Sequence, residues 1–129
     1  MSRNELTVAV VDDDHSVRRG LQRLLRAAGY RVETYSSAHE FLARDRVVPP
    51  ACLLLDVSMP GQSGLRLHQA LLTTGREVPV IFITGHADVE MEARAMKAGA
   101  AAFLYKPFDE DVLLRAVEQA IAKGRRRDP

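Results

Sequence analysis

With 129 residues, 47% of them hydrophobic and 27% charged, the chain has material for one domain with a real core and little beside it. A formal net charge of +1 gives no global attraction to nucleic acid or membrane, and no apolar run approaches the roughly 20 residues of a membrane span. The lone cysteine, Cys52, excludes an internal disulfide or a cysteine-based zinc site. Together with an amino terminus lacking signal-peptide character, it predicts a reducing, cytoplasmic setting.

Leu6 to Val11 is apolar and β-branched, a buried strand running straight into Asp12, Asp13 and Asp14. Helical period follows, with Val17, Leu21, Leu24, Leu25 and Ala28 on one stripe. Asp14 or its neighbour caps the start, and Gly29 suits a left-handed stop. Tyr30 to Tyr35 forms a second, weaker strand. Ser36 or Ser37 caps a short helix carrying Phe41 and Leu42, which ends before Pro49-Pro50. Ala51 to Asp56 is the third strand, an apolar run that delivers one carboxylate to its own end before a Met59-Pro60-Gly61 turn. So uniform a run suits a strand covered on both faces. Ser63 caps a helix with Leu65, Leu67, Leu71 and Leu72, closed by Gly75. Val78 to Thr84 is the fourth strand, and Asp88 then opens a helix containing Val89, Met91, Ala95 and Met96, closed by Gly99. Ala101 to Tyr105 is the fifth strand, followed by Lys106-Pro107. The last helix starts near Asp109 and is expected to bury Val112, Leu113, Ala116, Val117, Ala120 and Ile121, with Gly124 breaking its pattern.

Five strands alternating with five helices predict an α/β domain, a doubly wound (βα)5 unit around a five-stranded parallel sheet. Function in such sheets gathers at the carboxyl ends of the strands. The first strand ends in Asp12, Asp13 and Asp14, the third in Asp56, the fourth in Thr84 and the fifth in Lys106. In the flavodoxin-like order 2-1-3-4-5 the first and third strands are neighbours, so their carboxylates meet. Packed carboxylates repel unless a divalent cation lies between them, and oxygen-only ligands favour Mg²⁺ or Mn²⁺. A lysine and a hydroxyl opposite suit a phosphate-like anion, with one Asp as nucleophile. No glycine-rich phosphate loop occurs, which argues against a dinucleotide-binding or P-loop protein.

Each feature has a plainer explanation by itself. Asp12 to Asp14 would serve as a helix cap, Asp56 as a turn residue, Lys106 as a solvated charge and Phe103 as core. Their joint placement on successive strand ends is what none of these explains. His15, His39, His68 and His86 share no metal spacing and read as surface residues.

Val10-Val11-Asp12-Asp13-Asp14, Leu55-Asp56-Val57-Ser58-Met59-Pro60, Phe82-Ile83-Thr84-Gly85-His86 and Lys106-Pro107-Phe108 together resemble the receiver domain of two-component response regulators. The wording around Phe82 to Val89 and Met96 to Ala100 is similar to the FixJ-like branch. The resemblance implies a receiver in residues 1–122, with 123–129 a basic tail or the start of a linker to an output domain outside the chain. It implies that Asp56 accepts a phosphoryl group from a sensor histidine kinase. Asp13, Asp56 and the Ser58 backbone carbonyl would ligate Mg²⁺, with Asp12 acting mainly through a water. Lys106, aimed by a cis Lys106-Pro107 peptide, and Thr84 would each bind a phosphoryl oxygen. Phe103 would be the switch aromatic, sharing an output face with Tyr105, and His86 is placed to tune phosphoryl lifetime.

Such a module catalyses only its own phosphorylation and dephosphorylation. The resemblance further implies a phosphorylation-dependent homodimer through the fourth helix and fifth strand, and a helix-turn-helix domain elsewhere in the full-length protein. No recognition helix is visible in these residues, so this chain is not expected to bind DNA itself. The alternatives are a stand-alone receiver acting by protein contact or phosphorelay, and an aspartyl-phosphate hydrolase. The latter resembles an Asp-x-Asp after the first strand, whereas Asp56 follows the third and Ser58 takes the second place.

Overall fold

Alternate side chains of a strand leave on opposite faces, and here both sets are apolar. Val11, Leu53, Leu55, Val80, Phe82 and Phe103 belong to one buried cluster; Val8, Val10, Cys52, Leu54, Ile81 and Ile83 belong to another. A sheet of that composition has to be covered twice. The computed structural model describes residues 5–44, 49–57, 64–73, 78–86 and 88–125. In order these form β1 (Thr7–Val11), α1 (His15–Ala27), β2 (Arg31–Tyr35), α2 (Ala38–Leu42), β3 (Cys52–Asp56), α3 (Gly64–Thr73), β4 (Val80–Thr84), α4 (Val89–Lys97), β5 (Ala102–Tyr105) and α5 (Glu110–Arg125).

The five strands pair in parallel in the order β2-β1-β3-β4-β5, the flavodoxin-like order expected. Phe41 of α2, Leu67 and Leu71 of α3 and Ala95 of α4 cover one face. Leu21 and Leu25 of α1, with Leu113, Val117 and Ile121 of α5, cover the other. β3 lies at the centre, and Leu53, Leu54 and Leu55 are wholly buried. Each such leucine stabilises the fold by about 1.5–3 kcal/mol relative to an exposed one.

Helix ends follow side-chain chemistry. Asp14 accepts from the amides of Ser16 (2.8 Å) and Val17 (3.3 Å), and Gly29 takes φ 100° after the helix. Ser37 accepts from the Glu40 amide at 3.1 Å while Glu40 reaches back to the Ser36 hydroxyl, a reciprocal cap. Asp88 caps α4 through the Met91 amide at 3.0 Å.

Three expectations need correction. Val112 is exposed, because the inward face of α5 is set by Leu113, Val117, Ala120 and Ile121, and Val112 falls outside that arc. Gly124 does not end α5, which continues to Arg125. There a glycine is required by packing, since a Cβ on it would lie 2.8 Å from Pro79 Cγ. His68 is buried rather than on the surface. The expected Met59-Pro60-Gly61 turn, Ser63 cap and Gly75 stop, and the last four residues of the basic tail, lie outside the described residues.

Candidate functional site

Among the described residues four polar side chains are almost sealed from solvent: Asp12 (0% exposed), Thr84 (1%), His68 (3%) and Asp56 (6%). Burying such groups is costly unless they are paired or bonded. Three of the four stand together on one rim of the sheet, Asp12 just past β1, Asp56 closing β3 and Thr84 closing β4.

The acidic trio comes first. Asp12, Asp13 and Asp56 each present one carboxylate oxygen, and those oxygens lie within 4.8 Å of one another. Neighbouring strands bring them together, with Val11 of β1 in register with Leu55 of β3. Asp12 is held firmly. Its Oδ1 accepts from the Asp14 amide at 2.9 Å, its Oδ2 lies 3.1 Å from Lys106 Nζ, and its carbonyl accepts from Arg18 Nη1 at 2.6 Å. Three like charges so close are destabilising, and Lys106 offsets only part of that repulsion. The donor set is all oxygen, without nitrogen or sulfur, and fits a hard divalent cation such as Mg²⁺ or Mn²⁺.

On the other side, the Thr84 carbonyl accepts from the Lys106 amide at 2.7 Å, tying the ends of β4 and β5. The Lys106-Pro107 peptide is cis. The Thr84 hydroxyl donates to the His86 carbonyl (3.2 Å) and accepts from the His86 amide (3.1 Å), while the His86 side chain stays at the surface. Phe103 is buried between Phe82 and Tyr105, with ring centroids 6.0 Å and 5.4 Å away. Tyr105 donates its hydroxyl to Glu92 on α4, and that bond holds the phenol above its ordinary range. Ser58 falls outside the described residues.

Three residues that matter here escaped the sequence reading. Arg18 clamps the Asp12 carbonyl; its only signal was being the sole arginine in the first turn of α1. Gly64 opens α3 directly against the rim, where a Cβ would lie 2.6 Å from the Asp56 carbonyl oxygen. No local pattern separates it from an ordinary loop glycine. His68 packs edge-on against Phe82 at 5.4 Å, and burial holds its imidazole below the usual histidine range.

A parallel sheet wound in this order, with an acidic trio and a facing lysine on its carboxyl rim, defines a receiver domain. The chain belongs to the response regulator receiver domain family, whose model matches residues 8–118. It is 43% identical over 121 residues to the response regulator protein TmoT of Ectopseudomonas mendocina, covering 94% of this chain and 55% of that protein. It is 46% identical to nodulation protein W of Bradyrhizobium diazoefficiens, covering 93% and 53%. Among solved structures it is similar to FixJ-N, with TM-score 0.84 and 41% identity over 91% of this chain and 94% of that one. The response regulator StyR gives TM-score 0.86 at 50% identity, over 94% and 61%. The chain thus spans about half the length of the curated relatives it matches. Proteins of this family are signalling proteins. No helix of the described residues is long and apolar enough to cross a membrane.

Proposed function

We propose that this chain is the phosphoacceptor module of a longer response regulator, with Asp56 taking the phosphoryl group from the phosphohistidine of a sensor kinase. One observation carries the reading: the oxygens of Asp12, Asp13 and Asp56 converge within 4.8 Å, with Lys106 Nζ already 3.1 Å from the first of them.

Asp13 and Asp56, with the Ser58 carbonyl and a water-mediated contribution from Asp12, would hold Mg²⁺, and Mn²⁺ would substitute. When bound, that ion supplies positive charge against the transferring phosphoryl group. An Asp56 carboxylate oxygen attacks phosphorus as the bond to the kinase imidazole nitrogen breaks, and the electron pair leaves with that nitrogen. Lys106 turns its ammonium from Asp12 to a phosphoryl oxygen, adding charge stabilisation where charge develops. Thr84 gives up its bonds to His86 for another phosphoryl oxygen, and Phe103 fills the space that it leaves. His86, two residues past Thr84, tunes how long the phosphoryl group survives. The protein acts as catalyst only on itself.

The output is a changed α4–β5 face, through which the phosphorylated chain pairs with a second copy. Val89 and Met96, exposed on the α4 helix whose Glu92 accepts from the Tyr105 hydroxyl, support that assignment. We place the receiver in residues 1–122, with 123–129 leading to a DNA-binding helix-turn-helix domain. A relative named transcriptional regulatory protein FixJ in Rhizobium meliloti supports it. Buried Cys52 suits a reducing cytoplasm.

Intact mass after incubation with acetyl phosphate and Mg²⁺ tests the reading. One phosphoryl group is expected on the native chain, none on Asp56→Asn and none in EDTA. Undiminished labelling of Asp56→Asn would refute it.

A further inference from the structure

Asp13 is placed differently from the other two acids of the trio. It lies between the end of β1 at Val11 and the start of α1 at His15, and it is exposed where Asp12 and Asp56 are buried. Its carboxylate makes no hydrogen bond or ion pair among the described residues. Its position therefore rests on the two peptides that flank it. The peptide before it is held through the Asp12 carbonyl, which accepts from Arg18 Nη1 at 2.6 Å. The peptide after it is held through the Asp14 amide, which donates to Asp12 Oδ1 at 2.9 Å. A peptide unit is planar, so a restrained carbonyl also restrains the nitrogen and Cα of Asp13.

Two plainer roles for Arg18 fall short. Bracing the first turn of α1 is already done by its own amide, which donates to the Asp14 carbonyl at 3.0 Å. Compensating the acidic charge would put the guanidinium on a carboxylate, where an arginine bonds most strongly. Among the described residues it pairs with no carboxylate, and its second contact is His15 Nδ1 at 3.4 Å from Nη2. Bonding the carbonyl instead keeps the guanidinium from competing for the carboxylate oxygens.

We propose that Arg18 is a positioning residue for the divalent cation: by holding the Asp12 carbonyl it keeps an Asp13 oxygen within 4.8 Å of the other two, and so sets how tightly Mg²⁺ binds. A guanidinium has no lone pair to offer, so Arg18 acts through Asp13 and is no ligand itself. The proposal rests on the reading of the trio as the Mg²⁺ site. The two effects of Arg18 on the ion have opposite signs. Its charge repels a cation, so on charge alone its removal tightens binding. Its bond orients a ligand, so on positioning its removal weakens binding.

The test titrates Mg²⁺ into the full chain without any phosphodonor, at constant ionic strength, reading the Asp13 and Val57 amides by NMR, with thermal melts in EDTA beside it. Arg18→Met should raise the Mg²⁺ Kd about tenfold, the low end for losing a group that orients a metal ligand. Arg18→Lys, which keeps the charge but not the planar fork, should fall between Arg18→Met and the native chain. Arg19→Met, one residue on and exposed, should bind like the native chain. Native or tighter affinity in Arg18→Met, whether or not its Tm falls, would overturn the proposal and leave Arg18 a brace or a charge. Equal weakening in Arg19→Met would overturn it too. Should Arg18→Met lack a cooperative melt, Arg18→Lys decides, and native affinity there would count against the proposal. Asp13→Ala separates the two readings: if it binds Mg²⁺ as tightly as the native chain, the metal site itself is misplaced and the role of Arg18 falls with it.

Discussion

Replacing Lys106 by methionine keeps most of the side-chain volume and removes the charge 3.1 Å from Asp12 Oδ2. At that separation the gross attraction is about 5 kcal/mol for an effective dielectric near 20. Deleting one partner of a buried pair typically costs about 3–5 kcal/mol, because the other charge is left without its counter-ion. Two features lower the figure here. Lys106 is 25% exposed, and Asp12, though 0% exposed, keeps its bond to the Asp14 amide. A loss of about 1–3 kcal/mol is expected in EDTA; at roughly 2 cal/mol/K of unfolding entropy per residue that lowers Tm by about 4–11 °C. Metal affinity should move the other way. An ammonium no longer competes for the acidic oxygens, and about 1 kcal/mol of relieved repulsion makes Mg²⁺ bind roughly fivefold more tightly. The stability gap should therefore narrow as Mg²⁺ rises, by linkage to a ligand that binds only the folded chain. Thermal melts of both proteins in EDTA and at graded Mg²⁺ measure each part. Equal Tm values in EDTA, or weaker Mg²⁺ binding by Lys106→Met, would refute the claim that lysine and cation share Asp12.

Gly64→Ala puts a Cβ 2.6 Å from the Asp56 carbonyl, so α3 has to back away from β3. A urea midpoint lowered by the equivalent of about 1–3 kcal/mol, with slower acetyl phosphate labelling, is expected, and an unchanged midpoint would contradict the close approach. Burial holds His68 below its ordinary value of 6.5, so between its folded pKa and 6.5 the unfolded chain binds a proton that the folded chain does not. Stability should fall as pH drops through that window, and His68→Phe should flatten the slope measured between about pH 5.5 and 7.5; parallel slopes would exclude His68 as its source. The Cys52 thiol is pushed up to about 12 by burial. Native protein should resist a thiol reagent that labels the urea-unfolded chain at once, and prompt native labelling would show β3 to be open.

The sheet was legible because its evidence was redundant. Each of β1, β3 and β4 is apolar on both faces, and each carries its chemistry on the last residue or the next one. Strand ends were read one or two residues too long where the flanking backbone still bonds: the Ala51 amide donates to Thr7 and the Ala101 amide to Val80, both at 2.8 Å. What was missed depends on partners far along the chain. His68 lies beside Leu67 on α3, and only Phe82 across the interface makes its position a buried one. Val112 is as apolar as Leu113, but the phase of α5 sends one outward and the other inward. Gly64 and Gly124 are fixed by a carbonyl and a proline on other elements, and nothing in their local sequence announces it.

On the proposed reading, Thr84 is where chemistry on β3 becomes motion on α4, and the strength of that coupling can be bounded. Its hydroxyl is committed to both backbone groups of His86, two residues before Asp88 caps α4. Neutral bonds of this kind contribute about 0.5–1.5 kcal/mol net, against about 1.5–3 for a bond to a charged acceptor. Giving up both bonds costs about 1–3 kcal/mol, so exchanging them for one phosphoryl oxygen on Asp56 leaves the two positions of the hydroxyl within about 2 kcal/mol of each other. The population shift is therefore at most about thirtyfold, a bias rather than a lock. The bias reaches α4 by two routes, through the loosened His86 turn and through Phe103 and Tyr105 to Glu92. Thr84→Ala removes the hydroxyl from both states while leaving Asp12, Asp13, Asp56 and Lys106 in place. The variant should still accept a phosphoryl group, yet amide exchange across α4 should no longer respond to labelling. An undiminished response in Thr84→Ala would mean that the signal travels by another path.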